Sequence, residues 1–343
     1  MNSIRISFED SLKKLVVDLE KCLGCRTCIV VCPFSCLDYN GEKPILVKEC
    51  KNCGICAQAC PQYSWVQSEA EKLVFGRKRK LEEEFGVYRK LVIAQATDSQ
   101  IHQVCQDGGV VTALLIFALK EGVINGAIVT AEEPEKPLYP HPILATTTRE
   151  ILQSAGTKYF YSPNIFALAE AINQKKSNIA FVGTPCQIRV IRKMEMSGLK
   201  KYTAPLKFLI GLACSECFNY EGLMKSYIHC KLGINLSRIR KMNIKGKMLV
   251  TLDSETVPIP LTEIKQYARE NCRSCKDFSA ELADISVGGL GLENWSFVII
   301  RTEKGEELFS KAERAGAIKT RNVNEEPNTL NLLKKLSKRK HKN

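Results

Sequence analysis

Eight cysteines near the amino terminus constrain this chain more than any other feature. They form two runs, "CLGCRTCIVVCP" from Cys22 to Pro33 and "CKNCGICAQACP" from Cys50 to Pro61. Each run has the spacing C-x2-C-x2-C-x3-C-P, which wraps a turn of backbone around a cubane of iron and sulfur. Zinc fits less well, because it takes four ligands that usually come as two separated pairs.

This spacing is the one found in bacterial two-cluster ferredoxins, where the fourth cysteine of each run ligates the other cluster. It predicts a small α+β ferredoxin domain with two [4Fe–4S] clusters in residues 1–63. One predicted ligand set is Cys22, Cys25, Cys28 and Cys60. The other is Cys32, Cys50, Cys53 and Cys56. Two neighbouring clusters conduct single electrons, so we expect the rest of the chain to supply or receive electrons.

Composition indicates a globular protein in a reducing compartment. The 343 residues are 45% hydrophobic and 25% charged, and no apolar run approaches the roughly 20 residues that a membrane span needs. The first residues do not predict a signal peptide. We therefore expect a cytoplasmic protein whose sixteen cysteines act mainly as metal ligands rather than in disulfides.

The net charge of +13 does not indicate nucleic-acid binding. Six of the excess positive charges lie in the last ten residues, "KKLSKRKHKN", which leaves +7 elsewhere. Clusters bound by four thiolates are themselves anionic, at about −2 each. No basic stripe with stacking aromatics is present in the sequence. The basic tail, 323–343, is expected either to be solvated or to dock on an acidic subunit or anionic lipid.

The rest of the chain predicts a connector followed by an α/β domain. Residues 64–87 are charged and predict a helical connector, and the α/β pattern occupies 88–322. "LVIAQAT" predicts a buried strand, and "GGVVTALLIFALKEG" predicts a helix opened by two glycines. Free N–H groups at such a helix start can bind phosphate, although a glycine pair is more often a packing feature.

Cysteines of the α/β domain follow predicted strands. In "NIAFVGTPCQIRVIRKM", Thr184 suits the N-cap and Pro185 the first helical position, which places Cys186 in the first turn. Cys214 ends the strand "LKFLIGLACSECF". Such positions converge where open α/β sheets bind ligands. Spacing alone also allows zinc between the pairs Cys214–Cys217 and Cys272–Cys275.

From about residue 88 onward, the chain resembles the beta subunits of coenzyme F420 hydrogenases and dehydrogenases. The resemblance rests on "QDGGVVTALL", "AGTKYFYSPN", "GTPCQIRVIRKM", "IGLACSECF", "CRSCKDFSAELADISVGG" and "VIIRT". It implies a flavin-binding α/β domain with its own [4Fe–4S] cluster. The implied ligands of this cluster are Cys186, Cys214, Cys272 and Cys275. Cys217 would then be a spare thiol.

The same resemblance implies bound FAD. The expected contacts are Gly108, Gly109, Thr112, Gly156, Thr157, Lys158, Tyr159, Ser162 and Asn164. Lys158 would neutralise the pyrophosphate or lie near the flavin N1. Arg149, Lys193 and Arg301 are candidates for the acidic tail of coenzyme F420. The loop "ENWSF" departs from the family pattern, in which glycine tends to precede the tryptophan and threonine to follow the serine.

The resemblance further implies an enzyme in which FAD carries the hydride chemistry, without a catalytic side chain. Coenzyme F420 exchanges hydride, clusters accept single electrons, and a flavin exchanges both. The expected path runs from reduced coenzyme F420 through FAD and three [4Fe–4S] clusters to a partner complex. A ferredoxin module placed before the flavin domain resembles the membrane-bound, complex I-like dehydrogenase, whose input subunit lies on the cytoplasmic face through partner subunits.

Alternatives remain open at this stage. The chain could belong to a soluble F420-linked hydrogenase, formate dehydrogenase or heterodisulfide reductase complex, or donate to ferredoxin. A chlorophyll-metabolite reductase shares the domain but is less compatible with the ferredoxin module. From another class, the chain could be an iron–sulfur electron-transfer adaptor that binds no flavin. Flavin absorption at about one FAD per chain would separate the enzyme from the adaptor.

Overall fold

The computed structural model describes residues 6–41 and 43–342 and, at Ser274, the backbone alone. The amino-terminal domain opens with a π-type helix, Glu9–Val17. It continues with α1 (Thr27–Val30), β1 (Leu37–Asn40), β2 (Lys43–Leu46) and α2 (Ile55–Ala59). Strands β1 and β2 pair antiparallel. Each short helix lies inside one cysteine run, as expected for a repeated unit.

The remaining strands are β3 (Lys90–Ala96), β4 (Gly126–Glu132), β5 (Pro140–Ala145), β6 (Ile179–Gly183), β7 (Leu206–Leu212), β8 (Lys241–Lys245), β9 (Lys247–Thr251), β10 (Thr256–Pro260), β11 (Ile285–Gly288), β12 (Ser296–Ile300) and β13 (Ile318–Arg321). The remaining α-helices are α3 (Gln67–Phe75), α4 (Ser99–Val104), α5 (Val110–Lys120), α6 (Thr148–Gln153), α7 (Ile165–Asn173), α8 (Pro185–Met196), α9 (Lys200–Thr203), α10 (Leu261–Ile264), α11 (Glu303–Arg314) and α12 (Pro327–His341). A second π-type helix spans Glu221–Lys231, and short 3-10 turns span Leu236–Arg238, Lys265–Tyr267, Glu270–Ser274 and Val323–Glu325.

An eight-stranded mixed sheet organises the larger domain, in the order β13-β3-β12-β11-β7-β6-β4-β5. Strands β4, β6, β7 and β11 are parallel. Strand β3 has the same direction, because both β3 and β11 pair antiparallel with β12. The carboxyl ends of these five strands therefore meet at one edge, where open α/β sheets bind ligands.

Helices cover both faces of this sheet, and alternating side chains divide between two cores. In β6, Ala180 and Val182 join the core beneath α5 and α11, whereas Ile179 and Phe181 join the core beneath α7 and α8. The second core also contains Phe8 and other residues of the amino-terminal domain. The two domains thus share one hydrophobic core. This confirms the predicted order of a small ferredoxin-like domain followed by an α/β domain.

A third packing unit was not predicted from the sequence. Strands β8, β9 and β10 form a separate antiparallel sheet. With the helix Glu221–Lys231, this sheet encloses a core that includes Phe160, Phe218 and Tyr227. The unit backs the "GTKYFYSPN" segment, so it supports the region where the flavin contacts are expected.

The connector is less helical, and the basic tail more tightly packed, than their charged sequences predict. Within 64–87 the structure has one helix, α3, and the remainder of that segment is not helical. In α12, Leu333, Ser337 and Lys340 are buried. The basic run is therefore the exposed side of a packed helix and not a solvated tail, because the buried positions of α12 recur at helical spacing.

Candidate metal centres and cofactor site

Two cavities in the amino-terminal domain gather the paired cysteine runs into crossed groups. One cavity is lined by the first set: Cys22, Cys25, Cys28 and Cys60. The other is lined by the second set: Cys32, Cys50, Cys53 and Cys56. The fourth cysteine of each run thus lies with three cysteines of the other run. This is the arrangement that the spacing predicts, and cluster binding by each set stays a prediction.

Both cysteine loops use left-handed backbone at equivalent positions. Gly24 and Arg26 have φ of 64° and 62°, and the repeat places Asn52 and Gly54 there with 56° and 69°. This conformation costs a non-glycine residue roughly 1–2 kcal/mol, so Arg26 needs a compensating contact. Its guanidinium lies 4.5 Å from the Tyr39 ring and 5.6 Å from the ring of Phe166 in the larger domain.

Backbone N–H groups are directed at the thiol sulfurs, as cluster sites require. The N–H of Gly24 donates to Cys22 Sγ at 3.4 Å, and that of Phe8 donates to Cys50 Sγ at the same distance. Burial raises the pKa of Cys60 to about 12, and the neighbouring thiol of Cys25 adds to the shift. Bound iron would have to displace these protons, because the thiolate is the metal ligand.

The cysteines of the larger domain also converge, at the carboxyl edge of the sheet. We call Cys186, Cys214, Cys272 and Cys275 the third set. Cys186 follows β6 in the first turn of α8, where Thr184 and Gln187 form the capping box. Cys214 follows β7, and its N–H donates to Phe278 O. Burial raises the pKa of Cys186 to about 11, and the nearby thiol of Cys272 adds to that rise.

A fifth cysteine, Cys217, lies inside this group. It is buried, and its N–H donates to Cys272 Sγ at 3.3 Å. Hydrogen bonding to Cys214 and burial raise the pKa of the Cys217 thiol. Cys217 is therefore linked by hydrogen bonds to two members of the third set, Cys214 and Cys272. The choice of the other four as ligands rests on the family resemblance.

The third set lies beside the first set, across the boundary between the domains. Asn271 Nδ2 donates to the carbonyl of Cys22 at 2.8 Å. The guanidinium of Arg269 lies 4.1 Å from the Tyr161 ring, and Arg269 N donates to Cys217 O at 2.9 Å. The guanidinium of Arg269 also lies against Gly24, and a β-carbon at residue 24 would lie 2.5 Å from Arg269 Nη2. Glycine at this position therefore makes room for Arg269.

Two arginines near the cysteine sets have a buried nitrogen that lacks a hydrogen-bond partner among the described residues. These are Nε of Arg26 and Nε of Arg189. Arg189 stacks 4.4 Å from Trp65. Burial lowers its pKa, and the thiols of Cys275 and Cys60, in the third and first sets, oppose that shift. Buried cations require compensating negative charge. Asp277 supplies part of it for Arg189, and thiolate-bound clusters would add to it.

The expected glycine pair fits tightly between strands. A β-carbon on Gly108 would lie 2.6 Å from both Ala94 O and Ser296 N, and the Gly108 N–H donates to Ser296 Oγ at 3.1 Å. Gly109 has a φ of 70° and caps α5, in which Thr112 is buried. The pair lets α5 approach β3 and β12, so packing accounts for Gly108. Flavin contact by these residues stays a prediction.

Lys158 is buried and points at backbone carbonyls. Its ammonium donates to Ser154 O at 2.9 Å and also to Ala155 O, and it lies 3.9 Å from a carboxylate oxygen of Glu132. Burial lowers its pKa to about 8, and Glu132 opposes that shift. Gly156 has a φ of 82° and turns the chain before Lys158.

The other expected flavin contacts differ in how fully the protein satisfies them. Thr157 is exposed, and Ile244 N donates to Tyr159 Oη. Asn164 bonds Val182 O and accepts from Thr130. Ser162 is buried, and its hydroxyl has no partner among the described residues. The neighbouring hydroxyl of Tyr161 also lacks a partner among the described residues.

One proposed contact for the coenzyme tail is wrong. Arg301 is 1% exposed, and its guanidinium donates to Phe85 O, Val87 O and Ser279 O. It therefore joins the connector to the sheet. Lys193 is also buried, with its ammonium 2.9 Å from Ser64 Oγ. Arg149 is exposed.

Across residues 6–41 and 43–342, no three His, Cys, Asp or Glu side chains are arranged around one metal ion. Over the same residues, every helix is too short or too polar to cross a bilayer. Sequence reasoning missed the arginines near the thiols. The position of Arg189 could have been predicted from the sequence, because it lies three residues after Cys186 and so on the same face of α8.

Family models match most of the chain. Residues 14–61 match the 4Fe-4S dicluster domain. Residues 91–169 match the amino-terminal part of the coenzyme F420 hydrogenase/dehydrogenase beta subunit, and 176–326 match its carboxyl-terminal part. The predicted ferredoxin module and the predicted family are both confirmed.

Individual relatives agree. The beta subunit of the coenzyme F420 hydrogenase of Methanothermobacter thermautotrophicus is 40% identical over 74% of this chain and 92% of its own length. A subunit of the F(420)H(2) dehydrogenase of Methanosarcina mazei is 32% identical over 86% of this chain and 83% of its own. A chain of the F420-reducing [NiFe] hydrogenase complex from Methanosarcina barkeri superposes with a TM-score of 0.72 and 36% identity, covering 76% of this chain and 91% of that one. The chain belongs to the family of coenzyme F420 hydrogenase/dehydrogenase beta subunits.

Proposed function

We propose that this chain oxidises reduced coenzyme F420 by hydride transfer to bound FAD and delivers single electrons through three [4Fe–4S] clusters to a partner complex. The observation that carries the proposal is the succession of cysteine sets. The third set adjoins the first through Asn271 and Arg269. The first adjoins the second because α1 and α2, which carry Cys28 and Cys56, pack against each other. When bound, FAD supplies the exchange between hydride and single electrons, and the clusters supply one-electron carriers.

The residues around the thiols fit anionic clusters. Arg189 faces thiols of two sets, and its Nε lacks a partner in the described structure. Its positive charge would stabilise the added electron, since charge near a cluster sets its potential. The Thr184 hydroxyl lies 3.2 Å from Cys186 Sγ and would orient that ligand. Thr184 is itself fixed by the capping box at the start of α8.

FAD binding draws its support from family membership and from unsatisfied hydroxyls in the segment that holds Tyr161 and Ser162. The Ser162 hydroxyl is buried without a partner among the described residues, and Gln187, next to Cys186, bonds the Ser162 carbonyl. A buried hydroxyl without a partner costs free energy, so a cofactor polar atom there would stabilise the site. Such a cofactor would lie next to the third set.

A membrane-bound dehydrogenase complex is the partner we favour. The aligned region of the Methanosarcina mazei dehydrogenase protein covers 86% of this chain, against 74% for the Methanothermobacter thermautotrophicus hydrogenase protein. The wider match supports a relative that, like this chain, carries the ferredoxin module and the α/β domain in one polypeptide. The chain would then be peripheral on the cytoplasmic face through its partners. A soluble hydrogenase-type complex is the second candidate, because a hydrogenase complex gives the structural match.

Iron and flavin analysis tests the cofactor content. We expect about twelve iron atoms per anaerobically purified chain, from three four-iron clusters, and one FAD. Cys186→Ser should lower iron by about four, whereas Cys217→Ser should leave it unchanged. Iron that falls in Cys217→Ser and not in Cys186→Ser would overturn the third ligand set.

Anaerobic stopped-flow tests the reaction. Reduced coenzyme F420 should bleach the flavin before the iron–sulfur absorption, and NADH should be a poor donor because the chain lacks a dinucleotide fingerprint. Flavin-free protein should lose this oxidation while dithionite still bleaches its clusters. Clusters reduced by the deazaflavin without FAD would contradict the proposal.

A further inference from the structure

The order of the cysteine sets in space leaves the second set at the far end. Asn271, which precedes Cys272 of the third set, donates a hydrogen bond to the carbonyl of Cys22 in the first set. Cys186 of the third set also lies close enough to Cys25 of the first set to influence its electrostatics. Among the described residues, the cavity of the second set is lined by residues between Phe8 and Cys56. Electrons that enter at the larger domain would therefore leave through the second set.

Exposed apolar side chains lie on the segments that flank the second set. Phe34 lines its cavity and is 50% exposed, and Val47 is 52% exposed. Cys36 joins their segments: its Sγ lies 3.8 Å from Phe34 O, and its carbonyl accepts from Val47 N at 2.9 Å. Ile45, on β2, is 40% exposed. We call Phe34, Ile45 and Val47 the exit patch.

Lysines flank the exit patch. The N–H of Lys48 donates to Cys36 O at 3.4 Å, and Lys51 lines the cavity. Lys51 pairs with Glu49 at 2.6 Å, and Asp38 lies opposite Ile45 on β1. Lys43 and Lys48 outnumber Asp38, so the described residues around the patch carry a net positive charge. An apolar patch whose rim is net positive complements an apolar surface ringed by carboxylates.

We propose that the exit patch is the docking surface for an acidic protein that carries a one-electron acceptor. This inference rests on the proposed function, and it adds which set delivers the electrons and what kind of surface receives them. Each reduced coenzyme F420 oxidised would reduce two acceptor molecules by one electron each and release two protons. An aromatic side chain at the centre of such a patch is expected to carry much of the affinity.

Binding of a small acidic two-[4Fe–4S] ferredoxin, measured anaerobically at low salt by biolayer interferometry, tests the proposal. Phe34→Asp should raise the Kd at least tenfold, since the new carboxylate repels the probe and the apolar contact is lost. Lys48→Glu should raise the Kd at low salt and have less effect at high salt. Leu81→Asp is the matched control, because Leu81 is fully exposed in the connector, and its Kd should stay within twofold of wild type.

Several results would overturn the exit patch. These are a wild-type chain that does not bind the acidic probe, a Phe34→Asp chain that binds as tightly as wild type, and equal weakening by Leu81→Asp. Concentration-dependent self-association that Phe34→Asp abolishes would assign the patch to a second copy of this chain instead. Flavin bleaching by reduced coenzyme F420 is recorded for each variant. Its loss in wild type would refute the proposed function separately from the docking surface.

Discussion

Lys340 connects the carboxyl-terminal helix to the third set, and removing its charge should destabilise that region. The side chain is buried in α12, and its ammonium donates to the carbonyl of Cys272 at 3.2 Å. Hydrogen bonds to charged groups contribute about 1.5–3 kcal/mol. In Lys340→Met the carbonyl keeps its bond from Cys275 N, so we expect a loss in the lower half of that range. Methionine has a helix propensity close to that of lysine, which isolates the contact.

Lys338 gives the matched control on the same helix. Its side chain is 60% exposed and pairs with Glu84 at 2.8 Å, and exposed pairs of this kind contribute at most about 1 kcal/mol. Anaerobic guanidinium unfolding of both variants, with iron content checked beforehand, gives the comparison. The Lys340→Met midpoint should fall clearly below that of Lys338→Met. Equal midpoints for the two variants would refute the assignment of Lys340 as a buried anchor.

Three further outcomes are expected. Gly24→Ala should lose about 1–2 kcal/mol from its left-handed backbone alone, and it should also displace Arg269, which a shift in the cluster potentials in an anaerobic redox titration would report. Arg301→Leu should lower the unfolding midpoint strongly, because it leaves several buried carbonyls without their donor; a variant as stable as wild type would contradict this. The hydrogen bond to Glu281 raises the pKa of His341. The stability that this pair contributes is therefore complete below the unfolded-state pKa of roughly 6.5 and is lost as pH rises through the folded-state pKa. The difference in unfolding free energy between wild type and His341→Gln should shrink with rising pH.

Local sequence signals predicted the elements that carry the thiols. Thr184 and Pro185 predicted the start of α8, and the structure has a capping box at that position. The all-apolar β6 run was recognisable because parallel strands covered on both faces have no polar side. The crossing of Cys32 and Cys60 between cavities followed from spacing alone.

The contacts between distant segments could not be predicted in this way. Arg269 lies more than 240 residues from Gly24, and its contact depends on how two domains meet. The charge run at the carboxyl terminus gave no indication that Lys340 is buried, since its partner is a backbone carbonyl, and backbone groups have no sequence signature. The sheet of β8, β9 and β10 was missed because its short strands mix lysine with apolar residues.

The boundary between the two domains has a consequence for how fast electrons can move. Tyr202 Oη donates to Val30 O at 2.9 Å, and Ser197 Oγ donates to Gln58 O at 2.7 Å, so the amino-terminal domain is fastened to the larger one and does not behave as a carrier on a tether. Transfer between the first and third sets would then take place across a fixed gap. Its rate should be insensitive to solvent viscosity, whereas delivery from the isolated chain to a soluble acidic ferredoxin, which must diffuse to the exit patch, should slow as glycerol is added.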